Sequence, residues 1–187
     1  EHSKAALGPR RLPFAWSHLT TPKYDWQQIP ADARHSPAGF LFQGPSSMRQ
    51  PIEVGVLGAT GTVGQQFINL LSRHPWFRAT WLAASERSEG RSYRDAAPWR
   101  LVGAIPEGFG EMKVEQAVPG RGPKLVFSAL DAAVAGELEL AFAEAGHIVV
   151  SNARNYRMEA DVPLLVPEVN ADHLQLLKTQ AAERGWK

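Results

Sequence analysis

The chain has 187 residues, the length of one ordinary domain with an appended segment, because domains commonly hold about 100–200 residues. Its 44% hydrophobic and 21% charged residues are typical of a soluble globular fold, and its formal net charge of +1 provides no field that would attract nucleic acid or an anionic membrane. Cysteine is absent from the sequence, which excludes disulfides, thiolate metal sites and a thiol nucleophile within these residues.

Residues 1–50 are predicted to form an irregular, proline-rich leader. They contain six of the 14 prolines, a spacing that interrupts helices and central strands. A disordered leader is one interpretation, and a transit peptide is another, although the prolines would break the amphipathic helix that such a signal needs. Met48, just before the first recognisable motif, is an alternative translation start.

With no apolar signal-peptide stretch and no run near the ~20 apolar residues of a spanning helix, we expect a cytoplasmic protein.

From Ile52 onward, short apolar runs alternate with amphipathic stretches, the pattern of a mainly parallel sheet covered by helices. The pattern therefore predicts an α/β fold for residues 51–187. Between the second and third predicted strands, residues 86–123 are expected to form loops with short extended pieces around residues 99–102. The predicted strands are residues 52–57, 79–84, 124–130 and 147–150.

Three helices are predicted from apolar periodicity. The first has Val63, Phe67, Leu70 and Leu71 on one face and is expected to end at His74–Pro75, because a residue before proline disfavours helical geometry.

The second helix is expected to be capped by the Asp131 side chain and ended by Gly146. Its predicted apolar stripe consists of Val134, Leu138, Phe142 and Ala145.

Asn170 is predicted to cap the final helix, which ends near Gly185. Leu174, Leu177 and Ala181 are expected to face the core. A sheet of this kind would continue with another strand, so we expect the sheet within this chain to be incomplete.

A glycine-rich turn follows the first strand and precedes the first helix. Gly58, Gly61 and Gly64 have the spacing G-x-x-G-x-x-G, and glycines at such a turn let the backbone approach a pyrophosphate that the helix amides then bind. The motif predicts a Rossmann-like, doubly wound dinucleotide-binding domain. A turn that needs glycine only for packing is the alternative.

The second predicted strand ends at Ser85-Glu86-Arg87-Ser88, where Rossmann-like proteins bind the adenosine ribose. Two hydroxyls and a guanidinium suit the 2′-phosphate of NADP, since arginine binds phosphate oxygens bidentately. Glu86 would instead favour the unphosphorylated ribose of NAD. An exposed polar turn without a ligand is the further alternative.

Two later strands also end in polar residues. Ser128-Ala129-Leu130 and Asn152 are expected at the carboxyl edge of the sheet, where they would contact the nicotinamide half of a cofactor, although Ser and Asn also commonly begin turns. Asn155 and Arg157, with Arg154 nearby, are candidates for binding a substrate carboxylate or phosphate. The six histidines show no metal-binding pattern, so no metal is expected.

With these motifs assembled, residues 52–187 resemble the N-terminal, cofactor-binding part of aspartate-semialdehyde dehydrogenase, especially its fungal and archaeal branch. The resemblance is carried by five ordered blocks: VGVLGATGTVG at 54–64, ASERSEG at 84–90, VFSALD at 126–131, VSNARNYRM at 150–158 and VPLLVPEVN at 162–170.

The resemblance implies NADPH-dependent reduction of β-aspartyl phosphate to aspartate semialdehyde, in amino-acid biosynthesis. That chemistry requires a cysteine nucleophile and a histidine acid/base, so this cysteine-free chain is expected to be inactive alone, with the substrate and dimerisation domain absent. The complete protein would form a homo-oligomer. The resemblance implies these contacts: pyrophosphate at Gly58, Thr60, Gly61, Thr62 and Val63; the 2′-phosphate at Ser85, Arg87 and Ser88; nicotinamide at Ser128, Ala129, Leu130 and Asn152; substrate phosphate near Asn155 and Arg157.

Two other functions remain open. One is a non-catalytic nucleotide-binding or interaction protein derived from this family, in which the leader is the working part. The other is a different member of the superfamily with the same fold and mechanism, such as acetylglutamyl-phosphate reductase.

Overall fold

The computed structural model describes residues 50–186. Nearly all of the predicted leader, residues 1–49, therefore lies outside the described residues. Within residues 50–186, no helix is long and apolar enough to cross a membrane.

The described residues form a five-stranded sheet in which every pair of neighbouring strands is parallel. The strands are β1 (Ile52–Leu57), β2 (Phe77–Ala84), β3 (Val114–Gln116), β4 (Leu125–Ser128) and β5 (Ile148–Ser151). Their spatial order is β3-β2-β1-β4-β5. Because the chain crosses from one side of β1 to the other after β3, this is the Rossmann-like α/β arrangement that the sequence predicts.

Helices and helical turns connect the strands. They are α1 (Thr62–Leu71), α2 (Tyr93–Ala96), α3 (Ala132–Glu144), α4 (Pro167–Asn170) and α5 (Leu176–Arg184), with short 3₁₀ turns at Glu86–Ser88 and Ala171–Gln175. Gly146 follows α3 and Gly185 caps α5 in left-handed conformations, with φ of 89° and 66°, which confirms both predicted helix ends. Helix α1 already ends at Leu71, three residues before His74.

Alternate residues of the central strands enter two separate apolar clusters, as expected when successive side chains point to opposite faces of a sheet. Val54 and Val56 of β1 pack with Ile68 of α1 in the first cluster. Leu57 of the same strand packs with Phe142 of α3 in the second. Both faces of the sheet are therefore covered.

The strand β3 was not predicted, and the expectation of an extended piece at residues 99–102 is wrong. The apolar residue Trp99 instead belongs to an irregular loop, where its ring contacts that of Tyr93 at 6.5 Å and its indole N–H donates to the carbonyl of Gly103. The apolar character of this stretch therefore reflects a loop packed on the core.

The predicted faces of the first two helices are partly wrong, for the same reason in each. In α1, Val63 and Leu70 are exposed, whereas Gln65 is buried. In α3, Val134 is exposed and Glu139 is buried. A polar side chain occupies the buried face of each helix because it has hydrogen-bond partners there, as described below.

Two predicted side-chain caps are also absent. Asp131 precedes α3 but makes no side-chain cap bond. Asn170 ends α4 rather than capping the final helix, and its side chain accepts from the Val166 N–H at 2.7 Å and donates to the Leu164 carbonyl. It stabilises the start of α4. Leu174 and Leu177 are about half exposed, so the expected burial of the last helix is wrong.

Candidate functional site

The turn between β1 and α1 requires glycine at two of its three motif positions. Gly58 has a φ of +72°, and a Cβ there would lie 2.8 Å from the Ala129 carbonyl oxygen. A Cβ on Gly64 would lie 2.2 Å from the Gly58 carbonyl oxygen. At Gly61, φ is −73° and the nearest atom to an added Cβ is 3.3 Å away. Packing therefore requires glycine at Gly58 and Gly64, whereas a Cβ at Gly61 would make one tight contact that a small shift of the Gly58 carbonyl could relieve.

Two buried side chains hold consecutive carbonyls of this turn. The Tyr93 hydroxyl donates to the Ala59 carbonyl at 2.9 Å, and the Gln65 amide donates to the Thr60 carbonyl at 3.0 Å. Gln65 also donates to the Pro98 carbonyl and accepts from the Arg100 N–H. Burial raises the pKa of Tyr93, so this hydroxyl remains a neutral donor. Neither Tyr93 nor Gln65 belongs to a motif that is recognisable in the sequence.

The amino end of α1 presents unsatisfied backbone donors beside this turn. The first N–H groups of any helix lack acceptors within the helix, and here they belong to Thr62 and Val63, whose side chains are both exposed. Gly61 supplies no side-chain cap, and the first turn has no acidic residue. An anion is the natural occupant of such a position.

The predicted 2′-phosphate residues lie directly after β2. The Ser88 N–H donates to the Ser85 carbonyl at 2.8 Å and closes a 3₁₀ turn. Ser85, Glu86 and Arg87 are exposed, and Ser88 is buried. Within the described residues, the Arg87 guanidinium has no hydrogen-bond or ion-pair partner, so this charge is free to meet a ligand.

The turn after β4 lies against the glycine turn. The Ala129 N–H donates to the Leu57 carbonyl at 2.9 Å, and Ala129 and Leu130 are half-buried. The Ser128 side chain is fully buried, and its hydroxyl donates to the Glu139 carboxylate at 2.5 Å. The Ser128 hydroxyl therefore faces the interior, so any contact of this residue with a ligand would involve its backbone.

The end of β5 continues the same edge. The Asn152 N–H donates to the Ser128 carbonyl at 3.1 Å, which brings these two predicted residues together. Arg157 donates to the carbonyls of Asn152 and Ala153, at 2.9 and 3.2 Å. The Asn155 amide donates to the Ala132 carbonyl at 2.9 Å. Asn152 and Arg157 are exposed, whereas Asn155 is engaged with the start of α3.

The predicted site residues thus lie along one edge of the sheet, where the carboxyl ends of four parallel strands meet. Grooves at this edge are where ligands of open α/β sheets bind. Among residues 50–186, no group of three or more His, Asp or Glu side chains is arranged to hold a metal ion. The described part of this edge offers backbone donors, the unpaired Arg87 guanidinium and polar side chains, a donor set suited to phosphate groups.

Comparison with known proteins is consistent with this geometry. The family model "Semialdehyde dehydrogenase, NAD binding domain" matches residues 53–177, about two thirds of the chain. An aspartate-semialdehyde dehydrogenase of Archaeoglobus fulgidus is 48% identical over 134 residues, which cover 71% of this chain and 39% of that protein. One from Schizosaccharomyces pombe is 50% identical over 133 residues, 70% of this chain and 37% of that protein.

Solved structures give the same result. The Candida albicans aspartate-semialdehyde dehydrogenase with NADP has a TM-score of 0.66 and 48% identity, over 73% of this chain and 40% of that chain. Aspartate-semialdehyde dehydrogenase II of Vibrio cholerae has a TM-score of 0.54 and 27% identity, over 69% of this chain and 39% of that chain. This chain spans about two fifths of the length of the curated relatives that it matches.

Proposed function

This chain belongs to the semialdehyde dehydrogenase family, and we propose that it binds NADP as the cofactor domain of an aspartate-semialdehyde dehydrogenase. The observation that carries the proposal is the glycine turn: backbone contacts require glycine at Gly58 and Gly64, and the turn leads into the amino end of α1, where backbone donors face an anion. The family match and the Candida albicans relative with NADP support the choice of ligand.

In this proposal, the pyrophosphate binds at the amino end of α1. The donors are the backbone N–H groups of Thr60, Thr62 and Val63. The Gly61 N–H already donates to the Gly58 carbonyl at 3.0 Å, so Gly61, like Gly58, contributes by allowing close approach. The bonds from Tyr93 and Gln65 keep the turn's carbonyls directed into the core, so that the negatively charged phosphates do not meet them.

The 2′-phosphate of NADP binds at the end of β2. Arg87 supplies the positive charge and Ser85 a neutral hydroxyl donor. The buried Ser88 contributes mainly through its backbone, which closes the turn. Because the Glu86 carboxylate is also exposed here, the preference for NADP over NAD depends on Arg87.

The nicotinamide half lies over the turns after β4 and β5, near Ala129, Leu130 and Asn152. Bound NADP supplies the hydride acceptor, and its reduced form supplies the hydride donor. The chain's residues bind the cofactor and orient the ring. Arg157, beside Asn152, would bind the phosphate of an acyl phosphate substrate, with Asn155 holding the loop to α3.

We propose that the complete protein interconverts β-aspartyl phosphate and aspartate semialdehyde. That reaction needs a thiol nucleophile, and these 187 residues contain no cysteine. The chain alone is therefore expected to bind cofactor without turnover. We further propose that the complete protein self-associates, since Val169, Leu174 and Leu177 expose apolar surface. A cytoplasmic location is also proposed.

Isothermal titration of this chain with NADP and with NAD tests the proposal. We expect saturable binding of one NADP per chain, tighter than NAD, and no NADPH formed when aspartate semialdehyde and phosphate are added. The absence of saturable binding of either dinucleotide would refute a cofactor domain. Phosphate-dependent reduction of NADP by the chain alone would contradict the expected lack of turnover.

A further inference from the structure

Helix α3 buries a carboxylate. Glu139 is 4% exposed, although glutamate ordinarily lies at the surface. Burying a carboxylate is costly unless hydrogen bonds compensate it. The position of Glu139 therefore requires an explanation from its partners.

Those partners are two serine hydroxyls at the ends of neighbouring strands. One carboxylate oxygen, Oε1 of Glu139, accepts from Ser128 at 2.5 Å and from Ser151 at 2.7 Å. Ser128 is the last residue of β4 and Ser151 the last of β5, and the two are register partners in the sheet. A single atom thus bridges the carboxyl ends of two strands. A carboxylate only accepts hydrogen bonds, so it makes both hydroxyls donors.

The network continues into the turn that carries Asn152. The Ser151 hydroxyl donates its hydrogen bond to Glu139, so the lone pairs of its oxygen are available as acceptors. This oxygen accepts from the Ala153 N–H at 2.9 Å. The Asn152 N–H is bound by the Ser128 carbonyl, and Arg157 donates to the carbonyls of both Asn152 and Ala153. Several hydrogen bonds therefore hold the backbone around Asn152, and the Ser151 hydroxyl is the one that links this backbone to Glu139.

A second contact joins the following loop to the same helix. The Tyr156 hydroxyl donates to the Gly136 carbonyl of α3, one turn before Glu139. Burial and the nearby charge of Glu139 raise the pKa of Tyr156, so its hydroxyl stays protonated. Helix α3 thus positions residues 151–157 at two points.

We propose that Glu139 is a positioning residue for the nicotinamide half of the dinucleotide, acting through Ser128 and Ser151 on the turn that carries Asn152. The inference rests on the proposed NADP binding. The adenosine half would bind at the glycine turn and at residues 85–88, and none of the hydrogen bonds of Glu139 reaches those residues. Loss of this network is therefore expected to weaken the binding of only one half of the cofactor.

The test compares two ligands on the same chain by isothermal titration. Adenosine 2′,5′-bisphosphate carries the adenosine half alone, and NADP carries both halves. We expect Glu139→Leu to weaken NADP binding by about tenfold, the effect of losing a hydrogen-bonded charge, and to leave binding of the bisphosphate unchanged. Glu139→Gln keeps a carbonyl oxygen that accepts from both serines, so it should restore most of the NADP affinity.

Ser151→Ala provides the test while keeping the Glu139 side chain, although the carboxylate loses one of its two hydroxyl donors. It removes the link to the Ala153 N–H and leaves the bond between Glu139 and Ser128, so we expect a folded chain with weakened NADP binding and normal bisphosphate binding. Ser72→Ala is the matched control. The Ser72 hydroxyl also donates a hydrogen bond, to the Asn69 carbonyl, but it lies at the carboxyl end of α1, away from the proposed ligand contacts. Both affinities of this control should equal those of the unsubstituted chain.

The outcomes separate this inference from the proposed function. Equal losses of affinity for both ligands in Ser151→Ala, or no loss for either, would overturn the positioning role. The proposed function, binding of NADP by the unsubstituted chain, would still stand. The same conclusion would follow if the unsubstituted chain bound the bisphosphate as tightly as NADP, because the nicotinamide half would then contribute nothing. If the unsubstituted chain bound neither ligand, the proposed function would fail, and the positioning role with it.

Discussion

The Tyr93 hydroxyl donates a 2.9 Å hydrogen bond to the carbonyl oxygen of Ala59, 34 residues earlier in the chain. Both residues are fully buried. The bond joins the short helix α2 to the glycine turn, so the shape of the proposed pyrophosphate site depends on a residue well outside the glycine motif.

Replacing Tyr93 with phenylalanine removes this donor and leaves the Ala59 carbonyl buried without its partner. We expect the free energy of unfolding to fall by about 1–3 kcal/mol, the usual penalty for an unsatisfied buried group, as measured by urea denaturation. Binding of adenosine 2′,5′-bisphosphate should also weaken. Tyr156→Phe is the control, since its hydroxyl bonds the Gly136 carbonyl and its loss should spare bisphosphate binding. Unchanged stability of Tyr93→Phe would show that the bond contributes nothing.

The glycine turn predicts losses of stability of different size for two alanine substitutions three residues apart. Gly64→Ala places a Cβ 2.2 Å from the Gly58 carbonyl oxygen and 2.7 Å from the Ala59 Cα. Because both are backbone atoms, relief requires the turn to move, and we expect a loss of about 3 kcal/mol. Gly61→Ala meets only one atom, at 3.3 Å, and should cost less than about 1 kcal/mol. Thermal unfolding of both variants measures the difference, and equal losses would contradict the steric assignment.

Arg87 is expected to determine the choice between NADP and NAD. Arg87→Gln removes the charge facing the 2′-phosphate, so NADP affinity should fall about tenfold or more, while NAD affinity stays the same or rises. Arg94→Gln is a matched control, because this exposed arginine pairs with Glu111 at 3.2 Å and should affect neither ligand. A parallel loss of NADP and NAD affinity in Arg87→Gln would assign Arg87 a role other than recognition of the 2′-phosphate.

The ion pair of Asp161 and Arg184 predicts an acid-sensitive contribution to stability. Arg184 binds both carboxylate oxygens and ties α5 to the segment before α4. Its hydrogen bond holds the pKa of Asp161 below the usual value of 3.8. A lowered pKa in the folded state stabilises the fold above the unfolded-state pKa, and this stabilisation is lost as the pH falls through the folded-state value.

Asp161→Asn should therefore lower the free energy of unfolding by about 1 kcal/mol at neutral pH. The difference from the unsubstituted chain should shrink as the pH falls below about 3.8. Urea denaturation across this range is the measurement. Asp131→Asn is the control, since Asp131 is exposed and makes no side-chain cap bond. A difference that stays constant in acid would mean that the ion pair is not its source.

Four of the five strands and the main turn were predictable because their determinants are local. β1 was predicted with its observed ends, since a short apolar run before a glycine cluster fits a buried strand and little else. Gly58 and Gly64 were identified from their spacing, because the left-handed φ of +72° at Gly58 and the contact of Gly64 with the Gly58 carbonyl both arise within the turn. The carboxyl edge of the sheet followed from the strands themselves, which is why Arg87, Asn152 and Arg157 were identified as candidate site residues.

The tertiary structure alone decided which polar groups are buried. Periodicity assigns Gln65 and Glu139 to solvent, because glutamine and glutamate normally lie there, and it assigns Val63 and Val134 to the core in their place. The partners that stabilise Gln65 and Glu139 in the interior, such as the Pro98 carbonyl and the Ser151 hydroxyl, are distant in sequence or lie on a neighbouring strand. No local pattern records such partners, because they come together only when the sheet and its helices assemble.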